Sequence, residues 1–183
     1  MAKAKKSASA KASTGNDAIA LLKADHRQVE EWFEQFEKTR DDERKLTLAT
    51  KICSALKVHT SIEEEVFYPA FLAATEDKDM HHEAEVEHQG AKKLIAEIEA
   101  SGPDDDYYDA KVKVLSEMIK HHVKEEEQPD GMFAEARDSD MDLQALGEQM
   151  AARKAELEAE GGDVPAAARK GQAAGRSSAS RNR

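Results

Sequence analysis

Val58-His59-Thr60-Ser61-Ile62-Glu63-Glu64-Glu65-Val66-Phe67-Tyr68-Pro69 sets a histidine and a carboxylate four residues apart inside a run that otherwise reads as core-facing helix. On an α-helix, residues i and i+4 lie one above the other, so His59 and Glu63 point the same way and can reach one ion or two adjacent ones. The surrounding stripe, Ala49, Ile52, Leu56, His59, Glu63, Val66 and Ala70, advances in steps of three and four, the period of a buried bundle seam. His59 and Glu63 stand where leucine would be expected. An ionised carboxylate buried without a partner would rather protonate, so such a position requires something charged to meet it from elsewhere in the chain.

The partner is a second copy. His122-Val123-Lys124-Glu125-Glu126 repeats the His-x-x-x-Glu spacing 63 residues later, on the stripe Tyr108, Val112, Leu115, Ile119, His122, Glu126. Two further stripes each carry a histidine in mid-seam: Ile19, Leu22, His26, Val29, Phe33, Phe36, and His81, Ala84, His88, Ala91, Ile95, Ile98. His26 precedes His59 by 33 residues and His88 precedes His122 by 34, and each first histidine follows an acid, Asp25 or Glu87.

Punctuation divides the chain accordingly. Asn16 or Asp17 can cap a first helix running to about Lys38, and a second follows from about 42 to 74, with Pro69 expected to kink or shorten its end. A polar break at Asp77 to Met80 leads into a third helix ending near Ala100. Ser101-Gly102-Pro103-Asp104 then opens a fourth that stops before Pro129-Asp130-Gly131. Short connections make neighbouring helices antiparallel, which predicts an all-α fold: an up-down-up-down four-helix bundle over residues 17–137 with inward polar residues at one level. An amphipathic segment, Asp142 to Glu160, reads as an additional C-terminal helix within 138–160.

Charge and composition narrow the function classes. Of the 183 residues, one is cysteine, Cys53, and the net charge is −11. Residues 1–16 carry Lys3, Lys5, Lys6 and Lys11 with no acid, and residues 161–183 carry Arg169, Lys170, Arg176, Arg181 and Arg183 against Asp163. Both basic tails lack periodic apolar residues and read as disordered, serving solubility or weak contact with nucleic acid or another acidic surface. Without interleaved aromatics or a folded basic face, they argue against a nucleic-acid-binding protein. No run of about 18 apolar residues exists to span a membrane, and the N-terminus lacks the apolar segment of a signal peptide, so a cytoplasmic protein is expected. No Ser/His/Asp arrangement, phosphate-cradling glycine loop or CxxC motif is present.

The candidate ligands are therefore His26, His59, Glu63, His88, His122 and Glu126. The alternative for them is a set of buried salt bridges. Four imidazoles and two carboxylates suit two transition-metal ions better than one, and the absence of thiolates argues against a structural zinc or iron–sulfur site. Six donors shared between two ions leave coordination positions open for a small ligand. His81 lies two turns from His88, about 10 Å by helical rise, and is set outside the site. His82 and His121 read as surface residues. Glu64, Glu65, Glu125 and Glu127 read as a solvated face from which one could accept a ligand's ring N–H, and Tyr68 and Tyr108 as core packing. Glu85 forms Glu-x-x-His with His88, but a second such motif, which ferritin-like di-iron bundles need, is missing.

The pattern His26, His59-x-x-x-Glu63, His88, His122-x-x-x-Glu126, with Phe67-Tyr68-Pro69 after the first pair, resembles the hemerythrin-like, or HHE cation-binding, domains over roughly residues 17–137. That resemblance implies that Glu63 and Glu126 bridge two non-haem irons, oxo- or hydroxo-bridged, with the four histidines capping them and dioxygen, nitric oxide or peroxide binding at an open iron position. Oxygen-carrying members have a further histidine where this chain has Ala84, so the resemblance lies closer to the bacterial and iron-sensing members. The alternatives it leaves are an iron-sensing or iron-handling protein without turnover and a peroxide-degrading, catalase-like enzyme.

Overall fold

Three aspartates start three of the helices. Asp17 accepts a hydrogen bond from the Ala20 amide (2.8 Å), Asp41 from Arg44 (2.7 Å) and Asp77 from Met80 (3.0 Å), each satisfying one of the amides a helix leaves free at its first turn. The computed structural model describes residues 17–160, so the expected disorder of the basic tails falls outside the described residues. The elements are α1 (Ala18–Lys38), α2 (Asp42–Ile62), a π-helical turn (Glu63–Phe67), α3 (Tyr68–Thr75), α4 (Lys78–Glu99), α5 (Tyr108–Glu127), α6 (Met132–Asp138) and α7 (Leu143–Glu160). There is no strand among the described residues.

The bundle closes in the order α1, α2, α4, α5 and back to α1. The four bundle helices bury most of the stripe that their periodicity marks, as α1 does with Ile19, Leu22, His26, Val29, Phe33 and Phe36, while His81 of α4 and Ile119 of α5 are only half-buried. One stretch departs from expectation. In place of a single second helix, the π turn inserts an extra residue, with the Tyr68 amide bonding back to the Glu63 carbonyl five residues earlier. Pro69 lies just beyond it, where its missing N–H and the clash of its ring with the preceding turn favour local widening. The phase of the buried stripe slips by one. Phe67, Tyr68 and Phe71 are buried after Glu63, while the expected Val66 and Ala70 are only half-buried.

Two apolar clusters result. One joins Val29, Phe33, Ile52, Leu56, Ile95 and Leu115 at one end of the bundle, and the other joins Ile19, Leu22, Ile62, Phe67, Phe71 and Phe133 towards the opposite end. The additional helix α7 lies along α1, α2 and the π turn and buries Met150 there. The short helix α6, which the periodicity does not anticipate, closes over α5 and α3. It can approach because Gly131 has no side chain: a Cβ there would lie 2.1 Å from the Glu125 carbonyl oxygen. No helix among the described residues is long and apolar enough to cross a membrane.

Candidate metal centre

The bundle brings the six polar seam residues together. α1 carries His26, α2 carries His59, the π turn begins with Glu63, α4 carries His88, and α5 carries His122 and Glu126; all six are buried. His26 Nε2 lies 3.1 Å from His59 Nε2, and His88 Nε2 lies 3.2 Å from His122 Nε2. Glu63 Oε2 reaches both pairs, 3.3 Å from His59 Nε2 and 3.4 Å from His88 Nε2. Glu126 does the same from the other side, with one oxygen 3.3 Å from His26 Nε2 and the other 3.7 Å from His122 Nε2. Donor atoms of His26, His59, Glu63 and Glu126 lie within 4.8 Å of one another, as do those of Glu63, His88 and His122, and each group could hold a metal ion. Glu63 belongs to both.

A second ring of carboxylates orients these rings from outside. His26 Nδ1 bonds Glu127 (2.8 Å), His88 Nδ1 bonds Glu64 (3.0 Å) and His122 Nδ1 bonds Glu87 (2.7 Å). His59 Nδ1 faces Asp25 at 3.6 Å, an ion-pair contact rather than a hydrogen bond. Each acid follows a simple rule in the chain: the one before the first histidine of a helix pair supports the second histidine, and the one after each buried glutamate supports a first histidine of the other pair. Asp25 and Glu87 carry no role in the sequence reading; of the four glutamates read as a solvated face from which one could accept a ring N–H, two do so, Glu64 and Glu127. Glu65 and Glu125 do look outward, to Arg153 and His121. Asp25 is also bonded by Lys154, which ties α7 to the rim of the site.

An ionised carboxylate only accepts, so Nδ1 of His26, His88 and His122 carries a proton, and in the neutral tautomer this selects, the form that ligates a metal, the Nε2 lone pair faces inward. The centre is thus a gathering of acceptors. Both oxygens of Glu63 and Oε2 of Glu126 lack any hydrogen-bond partner although both residues are buried. Such a set costs free energy unless protons or a cation compensate it.

The titration behaviour reports the same crowding. Burial disfavours the charge on His59, but Glu63 and then Asp25 overcome it and raise the imidazole to about 9. Burial and the neighbouring His59 push His26 down to about 4. Glu63 is held well below the usual carboxylate range despite burial, by His59 and His88, whereas burial and the charge of Glu63 push Glu126 well above it. His122 rises because Glu126 and Glu87 outweigh burial.

Tyr68 was expected to serve core packing alone. It is buried, but the one-residue slip of the π turn brings its hydroxyl 3.2 Å from His88 Nε2 and 3.5 Å from Glu126 Oε1. Burial, Glu63 and Glu126 push that phenol well above its ordinary value, so it stays a neutral donor. Tyr108 is a core residue, tilted against Phe36. His81 lies against the Tyr68 ring without reaching the cluster, and Phe133 of α6 stacks on His26 with ring centres 5.9 Å apart, shielding it from water. Val29, Leu56, Ile119 and Val123, with Asp25 and Thr60, line a cavity of about 10 Å³ bordered by all four histidines, space for about one water-sized molecule.

An all-α bundle with histidine and glutamate donors converging from all four bundle helices has the makings of a cation-binding protein. Comparison with known proteins places it more narrowly. The chain belongs to the hemerythrin HHE cation binding domain family, which it matches over residues 17–134. A crystal structure of a hemerythrin HHE cation binding domain-containing protein from Mycobacterium kansasii shares the fold, with a TM-score of 0.66 at 22% identity over 79% of this chain and 88% of that one. The chain is also 26% identical over 122 residues to a DNA nickase of Nostoc sp., a match covering 65% of this chain and 33% of that protein, so it spans about a third of that relative's length.

Proposed function

We propose that the protein holds two non-haem iron ions, one on His26 and His59 and the other on His88 and His122, with Glu63 and Glu126 shared between them, and that it binds dioxygen, nitric oxide or peroxide there. The observation that carries this reading is Glu63: fully buried, within reach of a histidine from each pair, and without a hydrogen-bond donor for either oxygen. Nitrogen and oxygen donors without thiolate suit iron in a bundle of this kind. When bound, the iron pair supplies electrons and Lewis acidity to a small ligand at an open coordination position.

The chain's own residues prepare the rest. Glu127, Glu64 and Glu87 fix the ring orientations of His26, His88 and His122 through Nδ1, and Asp25 lies beside His59 Nδ1. Val29, Leu56, Ile119 and Val123 keep the small cavity apolar, which favours a compact uncharged ligand over a hydrated one. A peroxide-degrading reading has its own support in Tyr68 Oη, a neutral hydroxyl directed at the cluster and able to hold a proton beside a bound oxygen species. Addition of azide, peroxide and nitric oxide to the oxidised protein, followed by absorbance, separates these functions. Spectral change with all three and evolution of oxygen from peroxide supports turnover. Change without consumption supports binding or sensing, and no change with any ligand refutes an open position.

A further inference from the structure

Two grooves of opposite charge approach the buried layer. One, of about 280 Å³, has His122 and Glu126 among its lining residues, and its walls carry Asp77, Asp79, Glu83, Glu87 and Glu125 with no lysine or arginine. The other, of about 320 Å³, approaches His26 between Arg27, Lys120 and Lys124, and both carboxylates on its wall are already engaged, Glu30 by Arg27 (3.1 Å) and Glu127 by Arg27 (2.5 Å) and His26. A cation is drawn to the first and repelled from the second.

A donor set stands at the edge of the acidic groove, where Glu87 and Glu125 line the wall and His121 lies beside them. His121 Nε2 lies 3.1 Å from Glu125 Oε1 and 3.5 Å from Glu87 Oε1, and the donor atoms of all three lie within 4.8 Å of one another. Metal bonds of about 2.1 Å place neighbouring donors about 3.0–3.4 Å apart, so one divalent ion fits among them with little rearrangement. His121 is well exposed, with 62% of its side chain accessible, whereas Glu87 is largely covered and turns its other oxygen to His122 Nδ1 at 2.7 Å. Glu126, a buried carboxylate whose Oε2 has no hydrogen-bond partner and lies 3.3 Å from His26 Nε2, is also among the residues lining this groove. The groove therefore joins Glu87 and Glu125, the two carboxylates beside the exposed His121 imidazole, to His122 and Glu126 of the buried layer.

We propose that Glu87, His121 and Glu125 form an outer divalent-cation site, the staging point from which metal passes along the acidic groove to the buried centre. This rests on the di-iron reading for its destination. Glu87 links the two places: an ion drawing on Oε1 withdraws electron density from the carboxylate whose Oε2 holds His122 in position. The proposal also gives His121, which the inner centre does not use, a chemical task.

The test uses the full chain in its iron-loaded form, titrated with manganese(II), an ion that accepts carboxylate and imidazole donors. Free manganese is followed by electron paramagnetic resonance. One manganese ion per chain is expected to bind, with affinity falling at least about tenfold in His121→Ala and in Glu125→Gln. Chelator-stripped Glu125→Gln should take up iron(II) several-fold more slowly than the stripped parent protein yet reach the same final iron content. Two irons per chain with no manganese uptake, or equal iron uptake rates, overturn the outer site alone. A parent protein that holds no iron overturns the di-iron reading beneath it.

Discussion

Stripping the metal should make stability fall as pH rises above 6.5, because the buried carboxylates must then be compensated by protons on the histidines. In the metal-free protein His59 is raised from 6.5 to about 9 by Glu63 and Asp25 acting against burial. A group whose folded pKa is raised contributes stability that is complete below its unfolded value and lost as pH climbs through its folded one. The window is therefore pH 6.5 to 9. At 1.36 kcal/mol per unit the loss is roughly 3 kcal/mol, which for a chain of this size lowers the melting temperature by about 6–12 °C. Glu126 and His122, both raised, act in the same direction. His26 acts oppositely: lowered to about 4 by burial and His59, its contribution is complete above 6.5 and lost as pH falls towards 4. Between His26 and His59 alone the metal-free protein is most stable near pH 6.5, and the raised Glu126, whose contribution begins to be lost above its ordinary value of 4.5, moves that maximum to lower pH. In the loaded protein His59 is a neutral ligand, so that decline should be absent. The gap between the two forms should widen by roughly 3 kcal/mol, about a hundredfold in apparent metal affinity. Calorimetric melts of both forms at half-unit intervals from pH 5 to 9, with bound iron measured at each point, check this. Parallel declines in the two forms, or a metal-free protein flat from 6.5 to 9, would refute the reasoning.

Other perturbations separate the parts of the site. Glu64→Ala and Glu127→Ala each remove the acceptor on a histidine Nδ1 and should weaken metal affinity about 10- to 100-fold, read by competition with a coloured chelator. Tyr68→Phe removes only the hydroxyl near His88 and Glu126. It should keep full iron content while shifting the ligand-binding spectrum and slowing any peroxide consumption, and a variant identical to the parent in both would return Tyr68 to packing alone. Gly131→Ala drives a Cβ into the Glu125 and Glu126 carbonyl oxygens, at 2.1 and 2.9 Å. Melting temperature and iron content should fall together, since the helix end that carries Glu126 must shift.

Most of the centre was legible because two kinds of regularity coincided. The steps of three and four in the apolar stripes of α1, α2, α4 and α5 place His26, His59, His88 and His122 inward, and the matched separations put them at one level. What escaped has physical causes. A bond from the Tyr68 amide to the Glu63 carbonyl leaves no compositional mark, so the phase slip that buries Phe67 and Phe71 and turns Tyr68 towards the cluster could not be read from a 3.6-residue period. The outer carboxylates were visible only as acids adjoining ligands. Which of them reaches a ring on another helix depends on how α1 faces α2 and α5, and α4 faces the π turn and α5. The signal was present in the repeated motif itself: an acid before each first histidine, and another after each buried glutamate. Helix α6 is seven residues long, too short for periodicity to mark, and its role depends on Gly131 letting it turn back over His26.

The central claim concerns where metal sits, and a crystal of the iron-loaded protein measured on both sides of the iron absorption edge tests it most directly. Two anomalous peaks should appear, one between His26 and His59 and one between His88 and His122, with Glu63 and Glu126 reaching both. A single peak, peaks away from these residues, or a signal only at the zinc edge would contradict it.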